Sequence, residues 1–211
     1  MSTLSTPPIL RPSLRMTEDE FVRWAGEDTR AEWVDGEVYL CMGSNLDDDE
    51  LIWWIRTVLT MFLQRHSRGG RVCGPNFTCR LPQKPARRDP DVMYVAPDRM
   101  SLLHQTYFDG APDLVVEVVS PDSQLRDWHE KFAEYQAAGV REYWIVSPGF
   151  KTADLFVRSP KTNDFERRDP DAAGRLQSSV VPGFWMHPDD LFAADRPDAL
   201  SVVQKFEAAP Q

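Results

Sequence analysis

Helical and strand periodicities alternate along this chain. Thr17-Glu18-Asp19-Glu20 has the Ser/Thr-x-x-Glu form of a capping box, and Phe21-Val22-Arg23-Trp24 follows it. Together they predict a short helix over 17–26. Ala31-Glu32-Trp33-Val34 and Glu37 to Met42 are β-prone runs joined by Asp35-Gly36, a strong hairpin signal. Asp47-Asp48-Asp49-Glu50 then opens a helix from Leu51 to about His66, with acids at its start, Arg65 at its end and Gly69-Gly70 as the stop. That helix is apolar nearly all round, so it needs a sheet on one side and a second cover on the other, and a second subunit is one candidate. Strands are expected at Arg71–Cys73, Phe77–Leu81, Asp91–Val95 and Leu114–Val119. The last is apolar on both faces, as a central, doubly covered strand reads. A helix over about Leu125–Ala138, ended by Gly139, leads to a strand at Glu142–Ser147. This is a β-helix-β crossover, which makes those two strands parallel. Ala153–Arg158 and Phe165–Arg168 read as a later hairpin, and the proline-punctuated segment 182–192 as a cover over the core.

The chain has 211 residues, enough for one domain with a sizeable core. We divide it into a flexible N-terminal arm (1–14), a domain (15–193) and a C-terminal tail (194–211). No apolar run approaches the roughly 18 residues that a membrane helix needs. The proline-rich start lacks an apolar signal core, so a cytoplasmic location without membrane contact is expected. Three cysteines, Cys41, Cys73 and Cys79, with no C-x-x-C pair argue against a disulfide framework or a cysteine zinc site. The net charge of −9 excludes a uniformly basic nucleic-acid coat. It hides an asymmetry: Arg65, Arg68, Arg71, Arg80, Lys84, Arg87 and Arg88 occupy 65–88 without a single acid among them. Such a strip either faces phosphates or pairs with the protein's own acids, and charge alone favours the second slightly.

One position breaks the apolar pattern. Glu117 lies between Val115-Val116 and Val118-Val119. Burying an ionised carboxylate costs several kcal/mol or more unless a cation pairs with it. Asp91, at the start of a neighbouring strand, can place a second carboxylate beside it. Two acids at adjacent strand ends make a hard-oxygen site for Mg2+ or Mn2+. Lys131, on the following helix, can reach back over the strand end. Two acids and a lysine suit metal-assisted hydrolysis of a phosphodiester. The plain alternatives stand beside this reading. Asp91 can serve as a turn residue next to Pro90, Lys131 can pair with Asp127 on the helix surface, and Glu117 can pair with an arginine.

The run Pro112-Asp113-Leu114-Val115-Val116-Glu117-Val118-Val119-Ser120-Pro121, with Asp127, Lys131, Tyr135, Gly139-Val140 and Glu142-Tyr143-Trp144-Ile145-Val146, closely resembles the Uma2 family. The resemblance extends upstream to Thr17–Phe21, Glu32–Val38 and Asp89-Pro90-Asp91-Val92, covering roughly 15–193. It implies an α/β fold with a restriction-endonuclease-like core of the PD-(D/E)xK superfamily, a mixed β-sheet flanked by helices. It also implies a metal-dependent endonuclease acting on DNA. In that pattern Asp91 and Glu117 are the two acids that hold Mg2+ (or Mn2+), with the Val118 carbonyl as a further ligand. Val119 stands where the general pattern has lysine, and Lys131 is the substitute from the next helix. Glu32 matches the early accessory acid. The usual histidine at the start of the long helix is missing, since Ser44-Asn45-Leu46 runs into Asp47-Asp48-Asp49. Arg71, Arg80, Lys84, Arg87 and Arg88 are the expected DNA contacts, and a homodimer is expected from the apolar helix and the symmetry of duplex DNA. The competing expectation is a catalytically inactive nuclease-fold protein that binds nucleic acid or acts as a structural dimer. Hydrolysis of a small phosphate ester is a third.

Overall fold

The computed structural model describes residues 14–26, 29–41, 45–83, 85–119 and 126–206. The predicted arm before residue 14, Met42, Lys84 and the expected helix start at Leu125 lie outside them, as does the end of the tail. In chain order the elements are β1 (Leu14–Arg15), α1 (Glu18–Trp24), β2 (Ala31–Val34), β3 (Glu37–Leu40), α2 (Leu46–Arg65), β4 (Arg71–Cys73), β5 (Thr78–Leu81), β6 (Ala86–Arg88), β7 (Val92–Val95), β8 (Tyr107–Asp109) and β9 (Leu114–Val118). A π-helical turn over Arg126–Lys131 leads into α3 (Phe132–Ala138). Then come β10 (Glu142–Ser147), β11 (Thr152–Arg158), β12 (Phe165–Arg168), β13 (Leu176–Gln177), β14 (Trp185–Met186), α4 (Pro188–Phe192) and α5 (Ala199–Lys205).

Local chemistry sets the first elements. Thr17 accepts from the Glu20 amide while the Glu20 side chain accepts from the Thr17 amide, so the capping box closes and α1 starts where its signal lies. Asp35 and Gly36 both take positive φ, the conformation a two-residue hairpin turn requires between β2 and β3. The long helix begins at Leu46 rather than Leu51, because Asn45 caps it by accepting from the Asp48 amide. Asp47, Asp48 and Asp49 therefore fill its first turn, where they favour the helix dipole.

Two six-stranded mixed sheets result, in the orders β1-β3-β2-β6-β5-β8 and β12-β11-β10-β9-β7-β4. The second contains the crossover expected from the sequence: β9 and β10 are parallel, with Glu117 beside Ile145. On its other side β9 runs antiparallel to β7, pairing Val116 with Val92. The alternation of side chains along β9 divides its burial between two cores. Leu114, Val116 and Val118 join one formed with α2, while Val115 and Val119 join another formed with α3 and with Cys79, Leu81 and Ala86 of the first sheet. Glu117 points to the second side, between the sheets and α3.

The outer cover of α2 comes from the same chain. Val202, Val203 and Phe206 belong to its core cluster, and the Phe62 ring meets Phe184 and Phe206 edge-on at 5.4 and 4.8 Å. The buried Glu142 carboxylate holds the preceding loop down, accepting from the Ser179 and Val180 amides at 2.6 and 3.1 Å. Part of the cover that α2 needs is therefore supplied by its own chain, with Trp53 left exposed on the helix, and the described part of the segment beyond 193 packs into the domain. No helix among the described residues is long and apolar enough to cross a membrane. Replacing Phe206 with Ala is expected to cost about 3–5 kcal/mol in urea denaturation. A change below about 0.5 kcal/mol would mean that α5 does not share the core.

Candidate active site

Five elements bring ionisable side chains to one buried place. Lys131 closes the π-helical turn, and Tyr135 follows four residues later on the same helical face. Both reach Glu117 on β9. The Lys131 Nζ donates to Glu117 Oε2 at 2.9 Å, and the Tyr135 hydroxyl donates to Glu117 Oε1 at 2.8 Å. From β2, Glu32 places Oε1 3.5 Å from Lys131 Nζ. From β6, Arg88 bridges two acids, with Nη1 2.7 Å from Glu32 and Nε 2.8 Å from Glu134 of α3. The network thus ties the first sheet, the second sheet and α3 together through charges. Glu32, Arg88, Glu117, Lys131 and Glu134 are all at most 3% exposed. Burial pulls the Arg88 pKa down, but Glu32 and Glu134 outweigh it and hold the guanidinium charged. Burial, reinforced by the Glu117 carboxylate, pushes the Tyr135 hydroxyl well up, so it stays a donor.

Asp91 lies beside this network. Continuing the β7–β9 register by one residue sets Asp91 opposite Glu117, and Asp91 Oδ2 accepts from the Val118 amide at 2.7 Å. Asp89 comes two residues earlier. Its amide donates to Glu32 at 3.2 Å, and its Oδ1 is buried without a hydrogen-bond partner. Burial, and then the Glu32 carboxylate beside it, push Asp89 up to about 6, against opposing pulls from Thr78, Lys131 and Arg88.

The donor chemistry fits a hard divalent ion in a particular way. Carboxylate oxygens are the right donors, and an orphaned carboxylate oxygen is a polar group that a cation or water would satisfy. Among the described residues, however, no three His, Cys, Asp or Glu side chains form a chelating group. The two carboxylates that lie side by side, Asp91 and Glu117, would need backbone, water and substrate oxygens to complete such an ion's shell.

A protein-family model described as "Putative restriction endonuclease", Uma2, matches residues 18–191. The chain belongs to the Uma2 family. Its structure is similar to a crystal structure from Anabaena variabilis ATCC 29413 described as "a putative nuclease belonging to DUF820". The TM-score is 0.69 at 19% identity, over 84% of this chain and 98% of that one, so the likeness speaks for the fold. No curated protein matches the chain.

Of the site residues expected from sequence, this Uma2 chain brings Asp91, Glu117, Val118, Lys131 and Glu32 together. One part of the reasoning changes: the counter-charge that makes Glu117 tolerable is Lys131, aided by Tyr135, so its burial needs no metal ion. The basic strip does not form a single surface. Arg88 is corrected from a DNA contact to an interior ion-pair partner, because its side chain is fully buried between Glu32 and Glu134. Arg80 and Arg87 face each other across β5 and β6, and both donate to Glu18, at 2.6 and 2.9 Å. Arg80 also reaches Asp109, and the Arg87 guanidinium lies over the Tyr107 ring. Arg71 stands apart on the edge strand β4, and Lys84 lies outside the described residues.

Sequence reasoning missed Arg88, Glu134 and Asp89 as members of this network. The alternation in β6, with Ala86 and Arg88 inward and Arg87 between them, was the available signal for Arg88.

The raised Asp89 pKa has a sign. The folded state holds that proton more tightly than the unfolded chain, so ionising Asp89 costs stability. The cost is absent below its ordinary value near 3.8, grows as pH rises, and is complete above about 6. Replacing Asp89 with Asn is expected to stabilise the metal-free protein by about 1–3 kcal/mol near pH 8 and by almost nothing once the pH falls well below 3.8. Urea denaturation in a chelator across that range checks it, and a pH-independent effect would contradict the assignment.

Proposed function

We propose that the protein is a divalent-metal-dependent endonuclease that hydrolyses DNA phosphodiester bonds. The observation that carries this reading is the meeting of Glu117 and Lys131 at 2.9 Å, beside an aspartate that is hydrogen-bonded to the next residue of the same strand. Membership of a family described as "Putative restriction endonuclease" supports it.

In this reading Asp91 and Glu117, with the Val118 carbonyl, hold Mg2+ or Mn2+. Such an ion, when bound, polarises the phosphate and lowers the pKa of a water. Lys131 is pre-positioned by Glu117 and Glu32, so its ammonium can stabilise the negative charge that develops on the phosphate without reorganising first. Tyr135 fixes the Glu117 rotamer from the opposite side. Glu32 acts through Lys131 and is a positioning residue, itself oriented by Arg88.

The second reading is a nuclease-fold protein that binds nucleic acid without cleaving it. It draws on one feature: both Glu117 oxygens are already engaged by Lys131 and Tyr135. Plasmid nicking separates the two. The wild type is expected to nick with Mg2+ or Mn2+ and to stop when a chelator is added. Glu117→Gln should abolish nicking, and Lys131→Met should slow it about 10²–10³-fold. Folded wild type that fails to nick with either ion, or Glu117→Gln that nicks at the wild-type rate, would overturn the enzyme reading.

A further inference from the structure

Beyond the buried network, a second group of cations lies at the outer edge of the sheet that carries Asp91 and Glu117. A cavity of about 520 Å³ opens between the C-terminal half of α2 and the edge strand β4. Arg56, Gln64, Ser67 and Arg71 line it along with the Gly69-Gly70 backbone, and no acid does. The loop forming its floor depends on Gly70. Its φ is +79°, and a Cβ there would come within 2.5 Å of the Val95 carbonyl oxygen.

The two arginines differ from most others described here. Arg80, Arg87, Arg88, Arg99, Arg141, Arg167, Arg168 and Arg175 each pair with an Asp or Glu. Among the described residues, no ion pair or side-chain hydrogen bond joins Arg56 or Arg71 to another protein group. Both act electrostatically on the same thiol, that of Cys73 on β4, which places the two charges around one short stretch of chain. Both arginines are exposed, and in a protein with a net charge of −9 two like charges gathered without a protein counter-ion make a local positive patch that an anion from outside complements.

Register relates this cavity to the candidate active site. The Arg56 guanidinium lies against Gly74, where a Cβ would be 2.9 Å from it. Continuing the β4–β7 register sets Gly74 opposite Val92, the neighbour of Asp91. The edge strand is two strand spacings from β9, about 10 Å. Successive nucleotides rise about 3.4 Å along a duplex. Glu117 faces the α3 side of the sheet and α2 covers the other, so the cavity lies around the β4 edge from the candidate site, and a duplex held at the one would follow that edge to reach the other.

We propose that the cavity between α2 and β4 seats a backbone phosphate of a bound DNA strand, with Arg56 and Arg71 as its two cationic contacts. This rests on the nuclease reading only for the identity of the anion as nucleic acid.

The test is fluorescence anisotropy of a labelled DNA duplex in chelator, titrated with salt, for the full chain. Arg56→Glu with Arg71→Glu is expected to weaken binding more than tenfold. Arg56→Gln with Arg71→Gln should make the slope of log affinity against log salt shallower by about 0.9, the contribution of the one phosphate seated there. Arg56→Lys with Arg71→Lys, which keeps both charges, should retain the wild-type slope. Unchanged affinity and slope in the glutamine variant, or a wild type that binds no duplex, overturns the proposal. Nicking by the same proteins separates the two claims. Cavity-dependent binding by a wild type that never nicks leaves the cavity standing and removes the nuclease. Nicking and binding by the glutamine variant at wild-type levels removes the cavity and leaves the nuclease.

Discussion

The Glu117–Lys131 pair is the constraint around which the rest of this molecule is arranged. A carboxylate on the central strand of a sheet covered on both faces is tolerable only with a counter-charge and a second donor. Here the counter-charge arrives from the turn that ends the π-helical segment, and the donor from Tyr135 one helical turn on. This fixes α3 over β9 at one rotation. It also draws Glu32 and Arg88 in from the first sheet, because Lys131 lies within reach of Glu32 and Arg88 satisfies what remains of it. A buried ion-pair network of this kind is weak evidence for stability, since well-packed apolar residues often do as well.

The other buried acids show what a purely structural carboxylate looks like in the same protein. Asp113, just before β9 begins, accepts from the Ala96 amide and from Arg141 and pairs with Arg99. Glu142 accepts from two amides, a hydroxyl and the Trp144 indole. Both fasten loops to the sheet. The Glu117 group differs because its charges join both sheets and α3 at one buried place, and because a neighbouring carboxylate oxygen on Asp89 stays buried without a hydrogen bond. That uncompensated oxygen lies two residues before Asp91, where under the proposed function a cation would satisfy it.

Much of this was legible in the sequence, for identifiable reasons. The hairpin at Asp35-Gly36, the crossover from β9 to β10 and the oddity of Glu117 each depend on local pattern, and each appears where that pattern sets it. The resemblance to the family supplied the early acid, while Lys131 was already readable as a cation on the helix that follows β9. What could not be read was tertiary. The apolar girth of α2 shows that two covers are needed, but not that α5 provides one. A run of basic residues has no geometry until strand alternation is known, so Arg87 and Arg88, adjacent in sequence, end on opposite faces of β6. Glu18, which neutralises Arg80 and Arg87, lies more than sixty residues upstream of both, on a separate helix. Arg56 was hidden for the opposite reason. A single cation inside a long apolar helix reads as a solvated position until β4 is laid beside it.

Calorimetric titration with Mn2+ tests the central claim most directly, because it separates the acid from its counter-charge. If Glu117 is a ligand temporarily balanced by Lys131, the wild type binds one ion, Glu117→Gln loses that binding, and Lys131→Met binds at least as tightly because a competing cation is gone. Equal affinity in the wild type and in Glu117→Gln would show that the carboxylate serves the lysine alone, and the account of the site would fail.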